Sequence, residues 1–430
     1  MQDNNDELRK KAAAENLERR RQELRSQKKS SRRKPRPKQA QNQGQRQAQN
    51  QGQSQNQGQR PRQTQRRKKN KNLMKLFILI GGILIICLLV MIACTGISRI
   101  AERAAREKAA REAAQAEAGE IVIGLKGSAT QLVCEGEPYI ENGAFAIDTA
   151  EGEGAIPEEE IRIKGKVDTS KPGDYTVKYT AKGTSGKAAI ERTVTVLPEE
   201  EFGEKAENVP VMMYHWVYTE SDVPDELDGN WILDTALDEQ MAWLKENEFY
   251  YPGWKELRAW IDGEISLPSK STVITFDDGT EAFLKNGVPV LEKYEIPATS
   301  FIICWKKNSA GRKIRQYASP YIDFESHTFA LHDKLDQPEN GFKGVGSKMS
   351  KEEILEDLGQ AAEKTGNNDA FAYPYGEHTD AMVEAVREQG ILCAFTVEYD
   401  RVRRGMDPLL LPRIRVLGDE SFQIWKESVY

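Results

Sequence analysis

The stretch Ser271-Thr272-Val273-Ile274-Thr275-Phe276-Asp277-Asp278-Gly279 joins an apolar, β-branched run to two acidic residues and a glycine. Its first six residues predict a buried strand, and Gly279 permits a sharp exit from it. Two adjacent carboxylates cannot point the same way along a strand, so one can bind a metal ion while the other faces a substrate. A turn without chemistry is the alternative for this motif taken alone.

Strand and helix signals alternate on the C-terminal side of this stretch. The predicted strands are 299–304, 371–373 and 391–397, and the predicted helices are 281–294, 350–364 and 379–389. This order favours an α/β domain with a parallel sheet or barrel. The active site of such a domain lies at the C-terminal ends of the strands, where the acidic pair falls.

The second motif is Ser326-His327-Thr328-Phe329-Ala330-Leu331-His332, which holds two of the four histidines in the chain. A spacing of five separates two side chains by about 140° on a helix and places them on opposite faces of a strand. Both histidines can therefore bind one ion only if a bend lies between them. Two histidines and an aspartate suit Zn²⁺ or a similar divalent ion, and a structural role for both histidines is the alternative.

Residues 205–430 resemble the polysaccharide deacetylase family of carbohydrate esterases, and most closely its branch of biofilm poly-N-acetylglucosamine deacetylases. Five segments carry the resemblance: VPVMMYH (209–215), TFDDG (275–279), SHTFALH (326–332), FAYPYG (371–376) and LPRIRV (411–416). It implies a distorted (β/α) barrel whose metal ligands are Asp278, His327 and His332. It also implies that Asp277 is the general base and that the backbone N–H of Tyr375 stabilises the oxyanion.

The sequence departs from the common family pattern in three places. The histidine spacing is five rather than four, which is a feature of the biofilm branch. The late Leu-x-His motif that usually provides the general acid is missing, so His215 in the early Tyr-His pair is assigned that role, with a buried strand-end histidine as the alternative. The arginine that usually precedes the Pro-Tyr motif is also absent, and Arg413 is the candidate to orient Asp277.

Residues 120–198 predict a small β-sandwich, because several short alternating strands are separated by turn residues. The segment VDTSKPGDYTV (167–177) resembles a signature of bacterial immunoglobulin-like surface domains. That resemblance implies a spacer or a wall-binding module. A spacer is favoured, since the segment shows no cluster of aromatic residues typical of a sugar-binding face.

The N-terminal part predicts a membrane anchor. Residues 76–97 form an uncharged run of 22 residues, and about 20 helical residues cross a bilayer core. We therefore expect a transmembrane helix within 73–97, with the preceding positive charge keeping the N-terminus in the cytoplasm. A buried soluble helix and a cleaved signal are the alternatives. Residues 98–119, rich in Ala, Arg and Glu, predict a helical stalk.

Residues 1–72 predict a disordered, basic cytoplasmic tail, because their Gln/Asn/Gly/Arg repeat cannot form a core. They carry 22 Lys/Arg against 6 Asp/Glu, although the whole chain has a net charge of −6. The tail could bind anionic lipids or nucleic acid. A solvated tail that enforces topology is favoured, and no nucleic-acid partner is expected because aromatic residues do not interleave the basic ones.

These features together predict a single-pass cell-membrane protein with an extracellular, metal-dependent deacetylase domain. The expected ion is Zn²⁺, and the expected substrate is an N-acetylglucosamine-containing glycan, either peptidoglycan or poly-N-acetylglucosamine. O-deacetylation of xylan is an alternative, because the acyl-transfer chemistry is the same. A surface glycan-binding protein that has lost activity is the alternative from another class.

Overall fold

The computed structural model describes residues 119–305 and 309–430, which include both predicted globular domains. The predicted tail (1–72) and transmembrane helix (73–97) lie outside the described residues, as does the stalk up to residue 118. Within the part of the chain that is described, no helix combines the length and apolar character needed to cross a bilayer.

The first domain is a β-sandwich, as predicted, with sheet orders β1-β3-β4 and β2-β7-β6-β5. The side chains of Val177, Tyr179, Val194 and Val196 are buried in the core between the sheets. A short helix, α1 (Glu199–Phe202), leads to the second domain. The strands are β1 (Ile121–Leu125), β2 (Thr130–Cys134), β3 (Ala144–Asp148), β4 (Ala155–Ile156), β5 (Arg162–Lys164), β6 (Gly173–Gly183) and β7 (Gly186–Leu197).

The second domain alternates strands with helices. Its strands are β8 (Val211–Tyr214), β9 (Trp216–Tyr218), β10 (Trp231–Leu233), β11 (Val273–Phe276), β12 (Ala298–Ile302), β13 (Ile322–Ser326), β14 (Lys334–Glu339), β15 (Phe342–Gly344), β16 (Ala370–Ala372), β17 (Cys393–Phe395) and β18 (Ile414–Arg415). Its helices are α2 (Asp234–Glu246), α3 (Trp254–Ile261), α4 (Glu281–Asn286), α5 (Val288–Tyr294), α6 (Ser309–Gln316), α7 (Lys351–Thr365), α8 (Asp380–Glu388) and α9 (Phe422–Val429).

Seven of these strands form one parallel sheet in the order β17-β16-β13-β12-β11-β8-β18. The segment that leads into β18 also reaches the other edge strand, because the Thr396 N–H donates to the Leu411 carbonyl at 2.9 Å. The curled sheet with its helices fits a distorted (β/α) barrel. All seven strands therefore point their C-terminal ends to one side.

Successive side chains of β11, the predicted buried strand, point alternately into two hydrophobic cores. Val273 packs inside the curled sheet with Trp254 and Phe301, whereas Ile274 and Phe276 pack in the cluster that includes the outer helices. Because side chains alternate along a strand, this pattern assigns Thr275 and Asp277 to the interior.

The structure corrects the helix predicted over 281–294. It is divided into α4 and α5 at Gly287, two residues before Pro289. Proline lacks an N–H and its ring clashes with the preceding turn, so it is tolerated only in the first turn of a new helix. The three described cysteines, Cys134, Cys304 and Cys393, are buried and free.

Candidate metal-dependent active site

Asp277 and Arg413 form a buried ion pair. The two terminal nitrogens of Arg413 donate to the two oxygens of Asp277 at 2.7 and 2.8 Å, and Arg413 Nε donates to the Thr396 carbonyl at 3.1 Å. Burial by itself would raise the pKa of Asp277, but the Arg413 guanidinium and then His327 hold it well below its usual range. Asp277 is therefore an oriented carboxylate at neutral pH.

Asp278 points away from this pair because the backbone turns at the strand end. Its φ is +70°, and Gly279 follows with a φ of +56°. A Cβ atom on Gly279 would lie 2.5 Å from the side chain of Ile302, so the turn needs glycine for space as well as for conformation. The predicted divergence of the two carboxylates is confirmed.

His327 and His332 face Asp278 across this turn. The distances from their Nε2 atoms to Asp278 Oδ1 are 3.7 and 3.4 Å, and their ring centroids lie 4.7 Å apart. The predicted bend between them contains Thr328, with a φ of +73°. Asp357 holds this bend, because its oxygens accept the Phe329 and Ala330 N–H groups, each at 2.7 Å.

The three side chains can hold a divalent ion. Each offers one ligand atom, and these atoms lie within 4.8 Å of one another. Nδ1 of His327 lies 2.7 Å from the Ala372 carbonyl, which fixes the ring and directs Nε2 toward Asp278. Burial and then His327 lower the pKa of His332 to about 4, so its ring is neutral, as a ligand must be. Two imidazoles and one carboxylate are a donor set that suits Zn²⁺.

Trp216 binds the other oxygen of the candidate ligand Asp278. Its indole Nε1 donates to Asp278 Oδ2 at 2.9 Å, so that the other oxygen, Oδ1, faces the two histidines. Three groups of this site were not predicted from the sequence: Trp216, Asp357 and the Ala372 carbonyl. Trp216 could have been predicted, because it directly follows His215 in the chain. Asp357, on α7, could not, because no sequence pattern links it to the bend between the two histidines.

His215 lies at the same end of the sheet as the acidic pair, because β8 and β11 pair in register with Tyr214 beside Phe276. Its Nδ1 is buried and has no hydrogen-bond partner among the described residues. Burial lowers the pKa of His215 against the opposing effect of Asp277 and Asp278. Its imidazolium would therefore be a stronger acid than an ordinary histidine.

Tyr375 closes the other side of the cluster. Its backbone has a φ of +60°, and its hydroxyl donates to the His332 carbonyl at 2.6 Å. Its ring centroid is 4.7 Å from that of His332. All seven predicted site residues are thus brought together from five separate segments, with the Arg413 side chain reaching Asp277 from the position just before β18: Asp277, Asp278, His327, His332, His215, Tyr375 and Arg413.

A parallel α/β barrel with two histidines and an aspartate at its C-terminal end has the ligand set and the location expected of a metal-dependent hydrolase. Residues 264–394 match the family described as polysaccharide deacetylase, and residues 123–196 match the bacterial surface protein, Ig-like domain. The chain therefore contains a polysaccharide deacetylase domain preceded by an immunoglobulin-like surface domain, which confirms both resemblances.

Curated relatives share about half of the length of this chain. The poly-beta-1,6-N-acetyl-D-glucosamine N-deacetylase of Staphylococcus epidermidis is 29% identical over 213 residues, covering 47% of this chain and 73% of that protein. The protein of the same name from Staphylococcus aureus is 26% identical, covering 46% and 71%. Among solved structures, the Streptococcus pyogenes deacetylase PplD in complex with acetate matches with a TM-score of 0.44 and 20% identity, covering 52% of this chain and 98% of that one.

Proposed function

We propose that this chain hydrolyses N-acetyl groups on a polymer of N-acetylglucosamine outside the cell. The observation that carries the proposal is the cluster of Asp278, His327 and His332 beside an Arg-paired Asp277, within a polysaccharide deacetylase domain. The staphylococcal relatives are named for poly-beta-1,6-N-acetyl-D-glucosamine, which favours that polymer as the substrate class. The extracellular position rests on the apolar run at residues 76–97.

Asp278, His327 and His332 would hold the ion, and we propose Zn²⁺. When bound, such an ion polarises the acetyl carbonyl and lowers the pKa of a water molecule. Asp277 is the base that accepts the proton of the attacking water, and Arg413 fixes both of its oxygens so that the carboxylate cannot rotate away.

The remaining steps use residues on either side of this cluster. As water adds to the acetyl carbonyl, the backbone N–H of Tyr375 would stabilise the oxyanion that forms. His215 then gives a proton to the amide nitrogen as the carbon–nitrogen bond breaks. Acetate and a free glucosamine amine are the products. The lowered pKa of His215 makes its imidazolium a stronger proton donor than that of an ordinary histidine. It also means that a smaller fraction of His215 is protonated at neutral pH.

Acetate release by the full chain from β-1,6-linked N-acetylglucosamine oligomers tests this function. We expect release with Zn²⁺, loss with a chelator and recovery when Zn²⁺ is returned. Asp277→Asn should lower kcat by about 100-fold or more while Zn²⁺ still binds, because it removes the general base and leaves the three candidate ligands in place. Asp262→Asn is the matched control, since Asp262 lies beyond the end of α3 and pairs with Arg258 at the surface.

Two results would contradict the proposal. The first is a metal-loaded chain that releases no acetate from these oligomers, and release from acetylated xylan in the same assay would turn the assignment to O-deacetylation. The second is full activity in Asp277→Asn, which would remove the assigned base. His215→Ala tests the proton donor separately, and an unchanged rate across the pH range would withdraw that role.

A further inference from the structure

The immunoglobulin-like domain is joined to the deacetylase domain by an ordered interface. Ser128 and Tyr251 exchange two hydrogen bonds, at 2.8 and 2.9 Å. The Glu137 carboxylate accepts both the N–H and the hydroxyl of Ser266, at 2.6 and 2.7 Å. The Glu158 N–H donates to the Gly366 carbonyl at 3.2 Å. Contacts of this kind fix one domain against the other, which a flexible spacer would not need.

Lys126 is the centre of this interface. It follows β1 of the immunoglobulin-like domain, and only 2% of it is exposed. Its Nζ donates to Asp369 at 2.6 Å and to Asn367 at 2.8 Å, both in the deacetylase domain just before β16, and it also pairs with Glu158. Burial alone would lower the pKa of Lys126, but these carboxylates, Asp369 foremost, raise it well above its usual range. A fully charged lysine therefore extends into the floor of the barrel.

The floor of the barrel is acidic without this lysine. Asp323 and Glu325 are both buried on β13, and Asn367 donates to Asp323 at 2.8 Å. Burial raises the pKa of Asp323 to about 7, and burial together with Asp323 raises that of Glu325 well above its usual range. With Asp369 nearby, the deacetylase domain buries an acidic cluster whose closest cation, Lys126, lies in the other domain. Lys126 Nζ is 2.6 Å from Asp369, whereas Lys255 of the deacetylase domain is 3.9 Å from it.

The strands that carry these acidic groups also carry the metal site. β13 begins one residue before Asp323 and ends one residue before His327. β16 begins one residue after Asp369 and ends at Ala372, whose carbonyl lies 2.7 Å from His327 Nδ1. The Lys126 network therefore joins the N-terminal ends of the two strands whose C-terminal ends orient His327.

We propose that the immunoglobulin-like domain is an obligate part of the deacetylase fold and that Lys126 is a positioning residue for the metal site. Lys126 acts through β13 and β16 and does not touch the reacting groups. The proposal rests on the proposed function only where acetate release is the readout, because Zn²⁺ affinity and thermal unfolding test it without substrate.

Four forms of the full chain provide the test: wild type, Lys126→Met, Lys126→Met combined with Asp369→Asn, and Lys178→Met. Lys178 is the matched control, because it is an exposed lysine of the same domain that pairs with Glu191. We expect Lys126→Met to lower the thermal midpoint by about 6–20 °C, since it removes the cation closest to buried Asp369 and leaves only Lys255, at 3.9 Å. It should also weaken Zn²⁺ binding by up to about tenfold, because a shift of β16 would move the Ala372 carbonyl that orients His327.

The double variant separates charge from packing. Removing Asp369 together with Lys126 leaves one carboxylate fewer, so at least half of the loss in thermal midpoint and in Zn²⁺ affinity should return. Lys178→Met should match wild type in both measurements. If Lys126→Met fails to fold while the double variant folds, the proposal is supported. If Lys126→Met matches wild type in both measurements, it is overturned.

A cleaved chain tests the obligate interface directly. A specific protease site inserted after Gly203, an exposed glycine between α1 and the deacetylase domain, allows the folded chain to be cut there. We expect the two parts to stay together after cleavage and to keep their Zn²⁺ affinity. Separation into parts of which the deacetylase part binds Zn²⁺ with unchanged affinity would overturn the proposal. A chain that passes these tests but releases no acetate would reject the proposed function alone.

Discussion

Removal of the Arg413 side chain should destabilise the deacetylase domain and disable its base together. Arg413→Met keeps a side chain of comparable length but removes the guanidinium that binds both oxygens of Asp277. The Asp277 carboxylate would remain buried between strands with no counter-ion of its own. The structure thus predicts a larger effect than the loss of an ordinary surface ion pair.

The magnitude follows from the burial of both partners, whose side chains are 0% and 4% exposed. Removing one partner of such a pair costs about 3–5 kcal/mol, because the remaining charge is uncompensated. For a domain of this size, that corresponds to a fall of about 6–20 °C in the thermal midpoint. Surface pairs contribute about 0–1 kcal/mol, so Arg415→Met, which removes an exposed arginine bonded to Asn230, is the matched control.

Chemical denaturation followed by tryptophan fluorescence gives the free energy of unfolding for each variant. Asp277→Asn combined with Arg413→Met removes both charges and should recover most of the stability, while activity stays lost because the base is gone. A cost of less than about 1 kcal/mol for Arg413→Met, the value of a surface pair, would refute the buried ion pair as a source of stability. A double variant no more stable than Arg413→Met would refute it as well.

Three further predictions concern the groups around the site and the barrel floor. Trp216→Phe removes the donor to Asp278 and should weaken Zn²⁺ binding by about 10–100-fold in calorimetric titration; unchanged affinity would exclude an orienting role. Tyr375→Phe removes the hydroxyl bonded to the His332 carbonyl and should lower the free energy of unfolding by about 1 kcal/mol. The kcat should persist, because the backbone N–H of residue 375 remains. Loss of kcat would assign the hydroxyl a direct role. The raised pKa of Asp323, about 7, means that the folded state binds its proton more tightly than the unfolded state. Its stabilising contribution is therefore full below about pH 4 and lost as pH rises toward 7, so Asp323→Asn should flatten the unfolding free energy over that window, and an unaltered pH profile would contradict it.

Local pattern was sufficient for the elements that surround the site. The buried strand before the acidic pair, the helix after Ser350 and the β-sandwich strands follow from periodicity, capping and turn residues, which act over a few positions. The error at Gly287 has a local cause as well, since Pro289 was a readable helix start within an otherwise helical pattern.

The histidine pair shows how far spacing alone can go. A separation of five required a bend, and the bend lies at Thr328. The family resemblance supplied the roles, because His215 and Arg413 are far from the acidic pair in the chain and periodicity could not bring them to it. The structure places them there through neighbouring parallel strands, β8 and β18.

The sequence by itself determined the order of the elements, the identity of the candidate metal ligands and the presence of two globular domains. Only the tertiary structure decided which groups neutralise which charges. Lys126 and Asp369 are separated by 243 residues in the chain, yet Lys126 Nζ lies 2.6 Å from Asp369 Oδ2. No pattern of hydrophobicity or spacing predicts that pairing. Burial makes such pairings specific, because a charge removed from water must meet its partner at one place in the fold.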